Sequence, residues 1–170
     1  MDIKSVYFFP IGIFMREIFG IVFHKLPEVD FVPKREIWNV YELADGSRIF
    51  FKIVVVKVFK VRDLNPMTGC PDYIVAYQNI VSVKSSERKE HRKPSFNLSR
   101  FADIPEEFKE AVEVKRIIME DWNQYIVEGK YLYEIKPVIL FVYKIKNCYD
   151  QFGYPVYYVL SQNVSRVRRV

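Results

Sequence analysis

The chain has 170 residues, half of them apolar and 16% aromatic, which is enough to form a core and excludes an intrinsically disordered protein. The formal net charge of +5 favours anionic partners but does not require them. The uncharged run from Val6 to Met15 is too short to cross a bilayer, and no small-residue cleavage site follows it. We therefore predict no transmembrane segment and a cytoplasmic location.

Residues 1–25 are predicted to form one or two strands or a short helix, and their periodicity does not decide between these. Residues 1–25 are mostly apolar and are interrupted by Gly12 and Gly20, and we predict that they contribute to the core. Residues 26–35 contain Pro27 and Pro33, and we predict that they are extended.

Three strands are predicted next, at residues 38–43, 48–62 and 72–84. Asp45 and Gly46 suit the positive φ angles of a tight hairpin between the first two strands. The long strand 48–62 is apolar on both faces in its central part, which indicates that both faces are covered. Residues 63–69 are predicted to form the loop before the third strand.

Residues 85–102 are predicted to be a basic linker, because they are rich in charge and lack apolar periodicity. An amphipathic helix is predicted over residues 103–120. Asp103 and Glu106 have the spacing of a capping box, and Pro105 suits a first helical turn. The apolar side of this helix would consist of Phe108, Ala111, Val112, Ile118 and Met119.

Three more strands are predicted at residues 122–127, 131–146 and 156–168. Pro137 occupies the place in the second long strand that Ile53 occupies in the first. Because proline has no N–H to donate to a sheet ladder, we predict a bulge or a sheet edge at this position.

The two sets of predicted strands have similar sequences. Residues 38–84 align without a gap with residues 122–168, and 14 of the 47 aligned pairs are identical. We interpret this match as an internal duplication. The identical pairs are Trp38/Trp122, Asn39/Asn123, Tyr41/Tyr125, Lys52/Lys136, Val54/Val138, Val58/Val142, Lys60/Lys144, Gly69/Gly153, Pro71/Pro155, Tyr73/Tyr157, Val75/Val159, Gln78/Gln162, Asn79/Asn163 and Val83/Val167.

The predicted fold is mainly β, in the α+β sense of one added helix. A three-stranded sheet alone leaves one apolar face wet, so we expect the two duplicated antiparallel meanders to cover one another as a pseudo-twofold barrel or sandwich. The halves would be residues 1–84 and 103–170, joined by the linker 85–102 and folded as one unit. The alternative is two separate small barrels.

The first copy of the repeat contains a spaced pattern of lysine, valine, glycine, proline, tyrosine and amide residues. Its residues are Lys52, Val54, Val58 and Lys60, followed by Gly69, Pro71, Tyr73, Val75, Gln78 and Asn79. This pattern resembles one found in uncharacterised β-rich repeat proteins of thermophilic archaea. The resemblance covers the repeat and leaves out residues 1–25. It implies a thermophilic source and no known activity.

Basic and aromatic residues of the repeat are candidates for contact with nucleic acid. Lysines at matching places flank an apolar strand face in each copy, two tyrosines are available to stack on bases, and the C-terminal tail is basic. The alternative is that the lysines only keep strand ends solvated and prevent aggregation. The candidates are Lys52, Lys60, Arg62, Tyr73, Lys136, Lys144, Lys146, Tyr157, Arg166, Arg168 and Arg169.

Two amide pairs, Gln78-Asn79 and Gln162-Asn163, occur at equivalent places in strands where amides are poor formers. They could hydrogen-bond a ligand such as a base edge. We favour a structural role, in which one amide caps a backbone irregularity and the other pairs across the pseudo-axis.

The sequence gives little support for catalysis. His24 and His91 are the only histidines, and the chain lacks a glycine-rich phosphate loop, a nucleophile motif and metal-spaced ligands. We predict no catalytic residue, no metal site and no cofactor, although an enzyme of unknown type on a small barrel stays as one hypothesis. Cys70 and Cys148 are predicted to be reduced thiols, with a disulfide as the alternative.

The favoured function is therefore a non-catalytic, nucleic-acid-associated β module that binds single-stranded DNA or RNA. The alternative is a structural or assembly protein that acts through protein–protein contacts, including self-association.

Overall fold

The structure is a computed structural model in which residues 23–170 are described. Our prediction for residues 1–25 lies outside these residues, apart from a 3-10 turn at Phe23–Lys25. Two further 3-10 turns are Phe101–Asp103 and Glu106–Phe108. The strands of the described range are β1 Phe31–Arg35, β2 Asn39–Leu43, β3 Arg48–Arg62, β4 Asp72–Lys84, β5 Lys109–Ala111, β6 Val114–Met119, β7 Asn123–Val127, β8 Tyr131–Tyr149 and β9 Pro155–Arg169.

The strands form two antiparallel sheets, so the prediction of a mainly β protein is confirmed. The first sheet has the order β4-β3-β2-β6. The second has the order β1-β7-β8-β9, and β5 pairs with the far end of β8. Within residues 23–170 both sheets are open, and these residues do not form the closed barrel that we considered. None of the helices within residues 23–170 is long and apolar enough to cross a membrane.

The two sheets exchange their edge strands. β1 precedes β2 in the chain but pairs with β7 of the second sheet, with Val32 opposite Ile126. β6 precedes β7 but pairs with β2 of the first sheet, with Arg116 opposite Glu42. Each sheet is therefore completed by a strand from the other half of the chain, and neither half can form its whole sheet alone.

The pairing registers of the two sheets repeat with the same offset as the aligned sequences. Asn39 lies opposite Phe51 in β2–β3, and Asn123 lies opposite Ile135 in β7–β8. The register shifts between Val55 and Lys57 in β3–β4, and at the corresponding place, between Ile139 and Phe141, in β8–β9. The same irregularity thus occurs at the same position of both hairpins.

Pro137 does not cause that irregularity, because it lies in an unshifted part of the β8–β9 ladder opposite Asn163. β7 pairs with β8 only as far as Ile135, and β5 pairs with it from Tyr143 onward. Among the strands of residues 23–170, β8 therefore has a neighbour on one side only at Pro137. This is the edge environment in which a missing N–H is tolerated.

The inner faces of the two sheets share one apolar core. In β3, alternate residues such as Phe51 and Ile53 are fully buried, as expected for a strand with side chains of period two. They belong to one buried cluster with Tyr125 and Ile135 of the second sheet. Burial of each such side chain stabilises the fold by roughly 1.5–3 kcal/mol.

The predicted helix at 103–120 is wrong. Residues 109–111 and 114–119 are the strands β5 and β6, and two 3-10 turns precede them. Val114, Ile117 and Ile118 are β-branched, and these residues favour strands over helices. The free edges of β2 and β8 offer hydrogen bonds to this segment, and pairing with them replaces helix formation.

The linker packs on the outer face of the second sheet. Ile104, Ile145, Cys148 and Tyr158 form a second buried apolar cluster, which linker aromatics such as Phe101 extend. Cys148 and Cys70 are both free thiols and both buried. Burial raises the pKa of the Cys148 thiol to about 11, which keeps it protonated near neutral pH.

Candidate anion-binding site

The lysines that we predicted to contact phosphate on the strand faces are paired with glutamates of the same chain. These lysines are about three-quarters buried, and their partners come from segments distant in sequence. Such pairs leave little positive charge for a ligand. The Nζ–carboxylate distances are 3.6 Å for Lys52–Glu36, 2.6 Å for Lys60–Glu128, 2.5 Å for Lys136–Glu120 and 2.5 Å for Lys144–Glu87.

The two tyrosines predicted to stack on bases are engaged inside the molecule. The hydroxyl of Tyr73 donates to Glu128 and that of Tyr157 donates to Asp45, each at 2.6 Å. Burial together with these carboxylates raises the pKa of both phenols. Because Tyr157 is only 5% exposed, its ring offers no face to a base.

The predicted arginines of the C-terminal strand meet a buried carboxylate. Arg166 and Arg168 lie 2.6 and 3.2 Å from Glu134, which is 1% exposed. Burial by itself would raise the pKa of Glu134, but hydrogen bonds from Arg166 and Gln124 outweigh it, and the pKa is lowered. Arg62 is likewise 3.8 Å from Asp72.

Lys146 and Arg169 are the predicted basic residues with no carboxylate within 4 Å in the described part of the chain. Arg169 lies opposite Tyr131 at one end of β8, whereas Lys146 is near the other end. At about 3.3 Å per residue, these ends are roughly 50 Å apart. The predicted residues therefore do not come together as one basic groove.

The asparagines of the amide pairs contact each other. Asn163 Nδ2 donates to Asn79 Oδ1 at 2.9 Å, between the inner faces of the two sheets. Gln78 and Gln162 are exposed. The two asparagines are thus engaged with each other inside the molecule, and the role of the amide pairs stays a prediction.

A cluster that we did not predict lies where the linker runs beside the end of β8. The backbones of Arg92 and Tyr149 exchange hydrogen bonds of 3.2 and 3.1 Å. Lys89 N donates to Gly153 O at 2.9 Å. Gly153 has a φ of 84°, and a Cβ there would lie 2.4 Å from Lys89 O, so only glycine allows this approach.

This approach forms an open polar pocket of about 510 Å³. Asn147, with a φ of 57°, turns the end of β8 along one side of it. The lining residues are Lys89, Glu90, His91, Arg92, Asn147 and Tyr149. A pocket with three basic side chains and one carboxylate suits an anionic group.

Glu87 organises the cations beside the pocket. It accepts hydrogen bonds from Lys144 at 2.5 Å and from the Tyr149 hydroxyl at 2.6 Å, and Lys89 Nζ is 3.2 Å away. The Lys144 and Tyr149 hydrogen bonds lower the pKa of the Glu87 carboxyl to about 2. Its charge is therefore already compensated by two lysines near neutral pH.

His91 has a fixed orientation. Its Nδ1 lies 2.8 Å from the carbonyl oxygen of Tyr149, and a carbonyl only accepts, so Nδ1 carries the proton. Nε2 of the neutral ring is then an acceptor. No group of metal-ligating side chains occurs in residues 23–170.

The sequence indicated only part of this pocket. Arg88, Lys89, Arg92 and Lys93 form a basic run, but Glu87 and Glu90 interrupt it. Nothing in the pattern connects this run to Asn147 or Tyr149, which lie far along the chain in the second half.

Comparison of the chain with protein-family models, with curated proteins and with solved structures found no match.

Proposed function

We propose that the protein is a non-catalytic binding protein for polyanions and that its partner is single-stranded nucleic acid. The observation that carries this proposal is the distribution of unpaired positive charge. Arg92, Lys93 and Lys146 are exposed and have no carboxylate within 4 Å among residues 23–170, whereas the strand lysines are paired.

The linker pocket gives these cations a common location. Arg92 lines it, Lys93 follows Arg92, and Lys146 precedes the lining residue Asn147. Flexible single strands can bring several phosphates to neighbouring cations, and these phosphate contacts supply affinity that is independent of sequence.

Fluorescence anisotropy with labelled oligo-dT and oligo-U across a salt series tests this proposal. The triple variant Arg92→Ala/Lys93→Ala/Lys146→Ala should bind more weakly, and the slope of log affinity against log salt should fall by about 2, since each single-strand phosphate contact contributes roughly 0.7.

The matched control is Lys34→Ala/Lys115→Ala/Lys130→Ala, which removes the same charge from exposed cations elsewhere. It should change the slope little. Equal losses in the two triple variants would mean that only net charge matters, and absence of binding at low salt would remove the proposal.

A second function, assembly with another copy of the chain, is favoured by the edge strand β6. Every residue of β6 is exposed, and Ile117, Ile118 and Met119 are 43–56% exposed. The corresponding edge strand β1 carries Pro33 and Lys34, which discourage strand addition.

Light scattering over a concentration series tests this second function. The wild-type chain should associate, Ile117→Lys should be monomeric, and the control Val32→Lys on β1 should associate like the wild type. A wild-type chain that stays monomeric at high concentration would rule assembly out.

We further infer that the two halves arose by duplication and are related by a pseudo-twofold axis. The repeated pairing register and the reciprocal strand exchange support this. So do two equivalent cross-half hydrogen bonds, Tyr41 to Glu120 at 3.0 Å and Tyr125 to Glu36 at 2.7 Å. The contact between Asn79 and Asn163 would then lie on the axis.

A further inference from the structure

The first sheet has a row of charged side chains at the end of its β2–β3 hairpin. Arg48 of β3 lies opposite Lys84 of β4 on one side and opposite Glu42 of β2 on the other, and Glu42 lies opposite Arg116 of β6. Residues that lie opposite one another in antiparallel strands share a face. Since Ile49, next to Arg48, is buried in the core, these four side chains form one charged row on the face that points away from the core.

The charged row contains more positive than negative charge. Its three cations and one carboxylate give it a net charge of +2. Arg116 donates to Glu42 at 2.9 Å, and this hydrogen bond lowers the pKa of the Glu42 carboxyl. Arg48 and Lys84 are exposed, and neither has a carboxylate within 4 Å in the part of the chain that the structure describes. The uncompensated charge therefore lies on Arg48 and Lys84.

Arg48 and Lys84 are an unfavourable pair for a sheet, because like charges directly opposite one another are destabilising. The fold does not require two cations at this place. The equivalent pair of the second sheet is Leu132 opposite Arg168. A repulsive pair that the other half of the chain lacks indicates a role in binding, and two neighbouring cations without a carboxylate suit an anion that bridges them.

The rest of the equivalent row in the second sheet is apolar. Ile126 lies opposite Leu132 on one side and opposite Val32 on the other. Its one cation, Arg168, lies 3.2 Å from the carboxylate of Glu134. The charged row is therefore a feature of the first sheet and is not a property of the repeat.

The charged row is close to the linker pocket along the chain. Lys84 is the last residue of β4, and Lys89, which lines the pocket, follows five residues later. Five residues span at most about 18 Å. A single strand that contacts the linker pocket can therefore extend to Arg48 and Lys84.

We propose that Arg48 and Lys84 together bind one phosphate group of the single-stranded nucleic acid, as a second contact beside the linker pocket. Phe50 positions Lys84 for this contact, because the Lys84 Nζ lies 4.6 Å from the centre of the Phe50 ring. The proposal rests on the proposed nucleic-acid function and adds a surface of the first sheet to the site.

Fluorescence anisotropy with labelled oligo-dT across a salt series tests this contact. Arg48→Ala/Lys84→Ala should bind more weakly than the wild type, and the slope of log affinity against log salt should fall by about 0.7, the contribution of one single-strand phosphate. The matched control Lys34→Ala/Lys130→Ala removes the same charge from exposed cations elsewhere and should change the slope little. Equal losses in the two double variants would overturn the proposal, because only net charge would then matter.

The same assay separates failure of this contact from failure of the proposed function. If Arg48→Ala/Lys84→Ala binds like the wild type while the linker triple variant binds more weakly, the sheet contact is overturned and the linker site stands. If the wild-type chain does not bind oligo-dT at low salt, both are overturned.

Urea unfolding of Arg48→Leu distinguishes binding from a structural role. This substitution gives the first sheet the residue that the second sheet has at Leu132. Because it removes the repulsion with Lys84, the urea midpoint should stay the same or rise while oligo-dT binding weakens. A lower midpoint would show that Arg48 stabilises the sheet and would overturn the proposal.

Discussion

The β3–β4 and β8–β9 connections carry the same glycine and the same proline, yet they have different surroundings. Gly69 and Gly153 both have positive φ angles, of 68° and 84°. A Cβ at Gly69 would meet nothing within 4 Å in the described part of the chain, whereas one at Gly153 would meet the linker backbone. Gly69 thus provides only the positive φ of its turn, whereas Gly153 provides a positive φ and also allows the linker backbone to come close.

This difference shows where the two halves diverge. The positive φ of the turn glycine is common to both halves, while only the glycine of the second half also lies against the linker backbone. The candidate anion pocket exists because the linker can approach Gly153 closely. Breaking matched positions in the two halves therefore separates what the fold needs from what the site needs.

Gly153→Ala should have the largest effect. It combines the cost of a positive φ with a clash against Lys89 O, and we expect a loss of about 3 kcal/mol in the free energy of unfolding. Gly69→Ala should cost only about 1 kcal/mol, for its φ alone. Urea unfolding of the two variants measures the difference, and equal losses would show that the linker contact contributes nothing.

Asn123→Ala should have the next largest effect. Asn123 Oδ1 accepts from Ile37 N at 2.9 Å and its Nδ2 donates to Ile53 O at 2.7 Å. Asn39 Oδ1 accepts in the same way from Asp121 N, but its buried Nδ2 has no partner in the described part of the chain. The position that would correspond to Ile53 is Pro137.

The two asparagine variants should differ by about 1–2 kcal/mol, the cost of one buried group left without a partner. Asn123→Ala removes the asparagine partner of two backbone groups, of which Ile53 O keeps only a long hydrogen bond of 3.4 Å from the Tyr125 hydroxyl. Asn39→Ala removes the partner of one backbone group, the N–H of Asp121. Thermal and urea unfolding measure both variants. A cost for Asn39→Ala that equals or exceeds that of Asn123→Ala would contradict this account.

The strands could be predicted from the sequence because their signals are local. The bounds of β3 and β4 agree with the prediction residue for residue, since alternating apolar residues and turn residues mark them. The exchange of β1 and β6 could not be predicted, because it depends on pairing between residues such as Val32 and Ile126, far apart in the chain.

The segment after Asp103 was mispredicted because its apolar spacing fits a helix and a strand alike. Ala111, Val112 and Ile118 satisfy helical spacing, but Val112 is the residue that turns into the shared core while Ile118 lies in β6. Pairing with the edges of β2 and β8 favours the strands over a helix. No local sequence pattern indicates where those edges lie.

The candidate site was predicted only in part, for a related reason. Whether a lysine is free or neutralised depends on distant carboxylates, as in the pair Lys60 and Glu128. The linker cations were visible in the sequence, but the pocket also needs Asn147 and Tyr149. The thermophilic source stays a prediction.

The smallest predicted effect concerns the outer faces at Phe50 and Glu134, which occupy equivalent positions in the aligned halves. Lys84 Nζ lies 4.6 Å from the centre of the Phe50 ring, whereas Arg166 and Arg168 surround the Glu134 carboxylate. In the first sheet the cation Lys84 thus lies against the uncharged ring of Phe50. In the second sheet, Arg166 and Arg168 form an ion cluster with the buried Glu134.

This contrast makes stability depend on pH through the second sheet. Because the folded pKa of Glu134 is lowered from its ordinary 4.5, its contribution is present above that pH and is lost as the pH falls through the folded pKa. At pH 7, Glu134→Gln should lower the free energy of unfolding by about 1 kcal/mol. This loss is slightly smaller than the net contribution of a hydrogen bond to a charged group. The difference between this variant and the wild type, measured by urea unfolding, should shrink below pH 4.5. Glu110→Gln, at an exposed carboxylate that forms no ion pair among residues 23–170, is the control and should show little change. A Glu134→Gln deficit that stays constant with pH would mean that the charge of the cluster is not what stabilises the second sheet.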